Sequence, residues 1–192
     1  MHDLRPASIS VFPNRDIAMR DILVTLKNEH DVLVSLYEQL TSTPDAQDDA
    51  RQRLLQRIED ILIPHAKWEE LVFYPAFGER ANDEECKLRS VAIQEHRVVE
   101  QSVLPDLHAA DFDGRQFAGS AQVLNELSSN HIQREEREMF TAARRMFSAQ
   151  ELADLDAQYE EWKDSGMATA IGLHAKVKTA ASAMFREPRA PG

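Results

Sequence analysis

Four histidines recur along the chain at two equal spacings. His30 and His65 are 35 residues apart, and His96 and His131 are separated by the same distance. A shift of 66 residues aligns "NEHDVL" with "QEHRVV" and "HAKWEELVFYPA" with "HIQREEREMFTA". Imidazole and carboxylate groups are the usual ligands of iron, manganese and zinc in proteins. The repeat therefore predicts a metal site that is built twice from one pattern.

A glutamate follows the second histidine of each pair at helical spacing. A side chain four positions on lies about 40° round a helix and about 6 Å along it. Glu69 therefore shares a face with His65, and Glu135 shares a face with His131. The next glutamates point about 140° away and are expected to be solvated, or to support the ligands at most: Glu70 and Glu136.

The number of these residues separates a metal site from ordinary core histidines. A single histidine on an apolar stripe is usually a hydrogen-bonded core residue. Two inward carboxylates without partners would each cost several kcal/mol to bury. A pair of divalent metal ions offsets that cost. Four matched histidines with two matched carboxylates therefore favour metal binding.

Four amphipathic helices are predicted to carry these residues. Apolar residues recur at steps of three and four over each of them, at about residues 15–41, 45–77, 82–110 and 114–147. Helices of this kind with short connections form an antiparallel up-down-up-down four-helix bundle. The fold class is therefore all-α, with an additional C-terminal helical segment packed outside the bundle or supporting an oligomer.

Turn and cap residues define the ends of these helices. Asn82 and Ser148 each precede a glutamate by three residues and predict capping boxes. Asp113 is the expected cap of the fourth helix, and Pro44 suits the first turn of the second helix. Local bends without breaks are expected at two prolines inside helices: Pro64 and Pro105.

The resulting layout has four parts. They are an N-terminal arm (1–14), the bundle (15–147), a C-terminal helical extension (148–185) and a loose tail (186–192). Gly166 and Gly172 interrupt the extension, which could bend or divide there.

Composition narrows the classes of partner. The formal net charge is −11, with 43% hydrophobic and 29% charged residues. Nucleic acids and anionic membranes select for basic surfaces, so neither is expected as a partner. Cys86 is the single cysteine, which excludes an internal disulfide framework. There is no secretory signal and no apolar run of roughly 20 residues, so a cytoplasmic protein is expected.

The order His, His-x-x-x-Glu, His, His-x-x-x-Glu on four helices resembles the hemerythrin-like proteins, in particular the bacterial HHE cation-binding branch. The resemblance spans about residues 15–147. It implies a non-haem di-iron centre bridged by carboxylates or an oxo group, with zinc or manganese as alternatives. The implied roles are one metal on His30 and His65, the other on His96 and His131, and bridges from Glu69 and Glu135.

One position departs from the family pattern. Oxygen-carrying hemerythrins have a further histidine one turn after the third-helix histidine, and here that position is Glu100, on the face of His96. Its counterpart in the first hairpin is Val34. Glu100 is expected to be a further metal ligand; the alternatives are support of an imidazole or a salt bridge to Arg89. Glu138 is a weaker candidate of the same kind.

The expected ligand of such a centre is a diatomic molecule or peroxide. Apolar neighbours would restrict access to small molecules, and Tyr37 would either hydrogen-bond to the ligand or simply fill the core. Three functions remain open: a protein that binds or senses O2, NO or redox state, an enzyme that decomposes peroxide or reduces NO, and a metal-homeostasis or zinc-stabilised structural protein.

The C-terminal segment could supply a moving helix or a homodimer contact. Three further histidines are expected to be exposed and uninvolved in metal binding: His2, His108 and His174.

Overall fold

A computed structural model of the chain describes residues 20–45, 47–166 and 168–170. These residues form helices and their connections, without any strand among them. The helices are α1 (Ile22–Ser42), α2 (48–78), α3 (83–109), α4 (115–146) and α5 (Ala149–Asp164). The first four form the predicted all-α bundle, in which α1 packs against both α2 and α4. The arm, the tail and residues 171–185 lie outside the described residues.

The helix ends confirm some of the predicted caps and correct others. Both predicted capping boxes are present, at Asn82 and at Ser148. α1 begins at Ile22, where the Asp21 side chain accepts from the Val24 amide and caps the helix, and residues 15–19 lie outside the described residues. α4 is preceded by Gly114, without a side-chain cap, so the prediction for Asp113 was wrong.

The second helix also begins later than expected. It starts at Asp48, with Gln47 before it, and Pro44 therefore lies in the connection rather than in the first turn. Its α-helical backbone continues through Pro64 without a break, as expected.

Three helices of the bundle each contain one π-helical turn, which the apolar periodicity of the sequence does not predict. These turns span Glu69–Phe73 in α2, Val99–Val103 in α3 and Glu135–Met139 in α4. In each, a backbone amide donates to the carbonyl five residues earlier, as from Tyr74 to Glu69. Such turns occur frequently at functional sites. Two of the three begin at the glutamates predicted to bridge metals.

Two apolar clusters fill the bundle. One includes Leu26, Trp68 and Phe73, and the other includes Leu33, Ile58 and Leu124. Along each helix of the bundle, the buried histidine lies between residues of one cluster and residues of the other. The polar residues therefore lie between the two clusters.

α5 packs on the outside of the bundle against α1. Its buried apolar residues are Leu152, Leu155 and Tyr159, and the Tyr159 ring lies 4.7 Å from that of Trp68. α5 ends at Asp164, and Gly166 has a φ of 76°, a conformation that glycine adopts readily. The apolar face of α5 is thus covered within the chain, and dimerisation through it stays a prediction.

Within the described ranges, no helix combines the length and the apolar character that a membrane crossing requires.

Candidate metal centre

Four histidine side chains meet between the two apolar clusters, one from each helix of the bundle. The Nε2 atoms of His30 and His65 are 3.1 Å apart. Those of His96 and His131 are also 3.1 Å apart. All four side chains are buried. The structure therefore brings together the histidines that the repeat singled out, and it arranges them as two pairs.

The two predicted bridging glutamates each contact both pairs. Glu69 directs Oε1 to His65 Nε2 (3.1 Å) and Oε2 to His96 Nε2 (3.5 Å). Glu135 directs its Oε2 to His30 Nε2 (3.4 Å) and His131 Nε2 (3.7 Å). Two groups of ligand atoms are close enough to hold a metal ion, and Glu69 belongs to both: His30, His65 and Glu69; Glu69, His96 and His131.

The spacing within each histidine pair suits a single metal ion. Two imidazole nitrogens that are each ~2.1 Å from one ion, at an angle of 90–110°, lie ~3.0–3.4 Å apart. The observed separation of 3.1 Å falls in that range. Both nitrogens of a pair would be acceptors if the rings are neutral and protonated at Nδ1. A cation between them satisfies both lone pairs.

Three of the four oxygens of the two central carboxylates lack hydrogen bonds from described residues that would compensate their burial. Within the described part of the chain, Glu69 Oε1 and both Glu135 oxygens have no hydrogen-bond partner. The two side chains are 0% and 2% exposed. A buried carboxylate without such partners is costly unless a charge compensates it. Metal ions between the histidines and these oxygens would supply that charge, so the donor set fits a metal pair.

Four further glutamates hold the outer nitrogens of the four rings. His30 Nδ1 donates to Glu136 (3.0 Å), and His65 Nδ1 donates to Glu29 (2.8 Å). The pattern is the same in the other pair, where the acceptors are Glu70 for His96 (3.2 Å) and Glu95 for His131 (3.0 Å). A carboxylate on Nδ1 fixes the ring orientation and makes Nε2 a better metal ligand.

Sequence reasoning found these outer glutamates only in part. Glu70 and Glu136 were expected to be solvated, or to support the ligands at most, and their contacts with His96 and His30 fit the second alternative. Glu29 and Glu95 were missed, although each directly precedes a histidine and the two align in the repeat. That alignment was the available signal.

Each outer glutamate also meets a basic side chain. The pairs are Glu29 with Lys163, Glu70 with Lys67, Glu95 with Arg134 and Glu136 with Lys27. Burial raises the pKa of Glu29, but hydrogen bonds from His65 and Tyr159 and the charges of His65 and Lys163 outweigh it, so the pKa lies below its ordinary value. Glu29 is therefore ionised at neutral pH.

In the metal-free centre, the pKa values of His65 and Glu135 depend strongly on their charged neighbours. Burial lowers the pKa of His65, but the charge of Glu69 and the hydrogen bond and charge of Glu29 outweigh it and raise the pKa to about 10. Burial raises the pKa of Glu135, but the close approach of His30 and the charges of the surrounding histidines outweigh it and lower the pKa to about 2. Without metal, a protonated His65 would thus supply positive charge to the buried carboxylates.

Glu100 lies beside this centre but is engaged elsewhere. Its Oε2 accepts from Lys67 Nζ at 2.6 Å, and neither group that could hold a metal contains it. The proposed salt bridge to Arg89 is replaced by the one to Lys67. The geometry is that of an ion pair at the edge of the site, and ligation by Glu100 stays a prediction.

Two other candidates can also be placed. Glu138, the weaker candidate for a further ligand, is exposed and paired with Arg137, so it does not face the centre. His108 is exposed, as expected, and its Nε2 lies 2.6 Å from Glu59. His2 and His174 lie outside the described residues.

A cavity of about 40 Å³ adjoins the four histidines on the side of the second apolar cluster. A water molecule needs ~10–15 Å³ of such space, so the cavity suits a diatomic molecule or peroxide. Leu33, Ile63, Val99 and Leu127 provide apolar walls. The Tyr37 and Ser128 hydroxyls also line this region, and neither has a hydrogen-bond partner among the described residues.

Comparison with known proteins identifies this arrangement with one family. The family model described as hemerythrin HHE cation binding domain matches residues 21–143. That range contains α1 to α3, most of α4, and every residue of the centre. Searches of curated proteins and of solved structures gave no match.

Proposed function

The chain belongs to the hemerythrin HHE cation-binding family, and from this premise we propose that it is a di-iron protein that binds or senses O2, NO or redox state. The observation that carries this proposal is the position of Glu69, whose two oxygens each approach a different histidine pair. A carboxylate shared in this way is suited to bridge two metal ions. When bound, an iron pair supplies one-electron redox chemistry and a coordination position for a small ligand.

The chain's own residues would divide the work at this centre. The four Nε2 atoms would hold the metals, and Glu69 and Glu135 would bridge them. The outer glutamates would keep the four rings in the ligating orientation, because each accepts a hydrogen bond from an Nδ1 atom. These contacts support a centre whose ligand side chains are positioned by the folded bundle.

The cavity supports selection of a small ligand. Its volume of about 40 Å³ excludes most organic substrates, and its apolar walls would limit access of water. Burial raises the pKa of Tyr37 above its ordinary range, so the phenol remains a hydrogen-bond donor. A small polar ligand in this cavity could accept a hydrogen bond from Tyr37 or Ser128.

These two hydroxyls also favour a second candidate function, decomposition of peroxide or reduction of NO. Decomposition of peroxide transfers protons between oxygen atoms, and reduction of NO consumes protons together with electrons from an external reductant. Turnover of peroxide or NO by the iron-loaded protein, reduced tenfold or more in Tyr37→Phe, would favour this enzyme over a binding protein.

Elemental analysis of freshly purified protein tests the proposal first. We expect two irons per chain and near-ultraviolet and visible charge-transfer bands that bleach on anaerobic reduction. Zinc as the bound metal, or a colourless protein that iron cannot reconstitute, would contradict the di-iron proposal. Such a result would leave a structural or metal-homeostasis bundle.

A further inference from the structure

One difference between the surroundings of the two histidine pairs involves α5, although the repeat relates the pairs. Glu29 and Glu95 are equivalent in the repeat and accept from His65 and His131, respectively. Glu95 receives its basic partner, Arg134, from α4. Glu29 receives its partner, Lys163, from α5, which lies outside the repeat.

Glu29 is held from α5 through both of its oxygens. The Tyr159 hydroxyl donates to Oε2 at 2.7 Å, and this is the oxygen that also accepts from His65 Nδ1. Lys163 Nζ donates to Oε1 at 3.3 Å. Among the described residues, Glu95 has no hydroxyl donor comparable to Tyr159.

The two side chains on α5 are themselves well fixed. Tyr159 is 1% exposed and packs against the Trp68 ring. Lys163 Nζ lies 4.3 Å from the centre of the Tyr159 ring. α5 is additionally tied to α1 by a buried hydrogen bond from Thr25 to Asp156. The contacts to Glu29 therefore come from a docked helix.

We propose that α5 is part of the metal centre, with Tyr159 and Lys163 as positioning residues that hold Glu29 against His65. Metal affinity at the His30–His65 position then depends on α5, whereas affinity at the His96–His131 position does not. This inference rests on the proposed function, because it requires two metal ions. It makes the two positions unequal despite their matched ligands.

Stepwise metal titration tests the inference. Zn(II) serves as the probe because it has no redox chemistry, and a chromophoric chelator in competition reports each binding step. Loss of an outer partner of a metal-bound histidine typically costs 10–100-fold in affinity. We expect Tyr159→Phe and Lys163→Met each to weaken one step about tenfold and to leave the other unchanged.

A matched control separates this role from simple docking of α5. Thr25→Val removes the hydrogen bond to Asp156, and Thr25 makes no hydrogen bond with Glu29 in the described structure. We expect it to lower thermal stability while both zinc affinities stay within twofold of the wild type. An equal loss of zinc affinity in Thr25→Val and Tyr159→Phe would overturn the positioning role.

Double variants identify which position is affected. In a His131→Ala background the remaining metal occupies the His30–His65 position, and Tyr159→Phe should weaken it about tenfold. In a His65→Ala background the same change should have no effect. Loss in both backgrounds, or in neither, overturns the inference. A wild type that takes up fewer than two zinc ions instead overturns the proposed metal pair itself.

Discussion

Each histidine of the centre is held at both ring nitrogens. Nδ1 donates to an outer glutamate, and Nε2 faces its partner histidine and a bridging glutamate. The hydrogen bond on Nδ1 selects the tautomer that leaves the Nε2 lone pair free for a metal. A histidine–glutamate contact is not sufficient to identify a metal ligand, however, because His108 and Glu59 make such a contact far from the centre.

This contrast gives a residue-scale prediction about metal content. His131→Ala should lose at least one metal ion per chain, because it removes an Nε2 ligand. His108→Ala is the matched control, since it breaks a histidine–glutamate contact outside the centre, and it should retain the wild-type content. Elemental analysis of both variants is the measurement. Equal metal content would contradict the ligand assignment.

Metal binding should also release protons. With its pKa raised to about 10, His65 is protonated at neutral pH in the metal-free protein, and a metal ligand must be deprotonated. Apparent affinity should therefore fall as the pH drops and level off above about pH 10. A pH indicator in weak buffer should report more protons released by the wild type than by His65→Ala when Zn(II) is added at pH 7. Equal release would refute the prediction.

The clustering of the four histidines with Glu69 and Glu135 could be predicted because the residues occur twice. One buried histidine has an ordinary explanation, but matched histidines and glutamates do not. Glu70 and Glu136 were harder to judge, since each points away from the histidine of its own helix. The structure shows that each then faces the histidine of a neighbouring helix, which spacing within one helix does not reveal.

At the scale of elements, the helices follow from the apolar periodicity, whereas the π turns do not. A constant 3.6-residue period assumes i to i−4 hydrogen bonds throughout. The turn from Glu69 to Phe73 ends with an i to i−5 hydrogen bond from Tyr74 to Glu69, and the next residue is Pro75, which has no amide hydrogen. α4 has a π turn without a following proline, with Thr141 at the equivalent position. Proline alone therefore does not determine these turns.

The capping box at Asn82 stabilises the first turn of α3. The Asn82 side chain accepts from the amides of Glu84 and Glu85, and the Glu85 carboxylate accepts from the Asn82 amide. Asn82→Ala should therefore lower the free energy of unfolding by about 1 kcal/mol. Gln94→Ala, at an exposed position within α3, should change it by less than about 0.5 kcal/mol. Urea unfolding of metal-free protein measures both, and equal effects would argue against the cap.

At the scale of the whole molecule, metal binding and folding are coupled. The centre lies between both apolar clusters and joins four helices. A ligand present at a thousand times its dissociation constant stabilises the folded state by about 4 kcal/mol. In a chain of this size that shift corresponds to roughly 10 °C in the thermal midpoint.

Chelation should consequently lower the melting temperature of the metal-loaded protein by roughly 10 °C. Calorimetry before and after treatment with a chelator is the measurement. The double variant His65→Ala/His131→Ala, which should carry no tightly bound metal pair, is the control and should show no shift. A wild type whose midpoint is insensitive to chelation would show that metal contributes nothing to its stability.

The repeat within the bundle makes this chain equivalent to a tethered dimer. Each hairpin supplies two histidines, one bridging glutamate and two outer glutamates, so two copies of one hairpin would contain the same ligand set. A true homodimer must place identical residues on both sides of its axis. Because the two hairpins belong to one chain, their residues need not be identical. Glu100 of the second hairpin can therefore pair with Lys67, while Val34 occupies the equivalent position in the first hairpin. Likewise, α5 can contact an outer glutamate of the first hairpin, Glu29, without an equivalent helix at the second hairpin among the described residues.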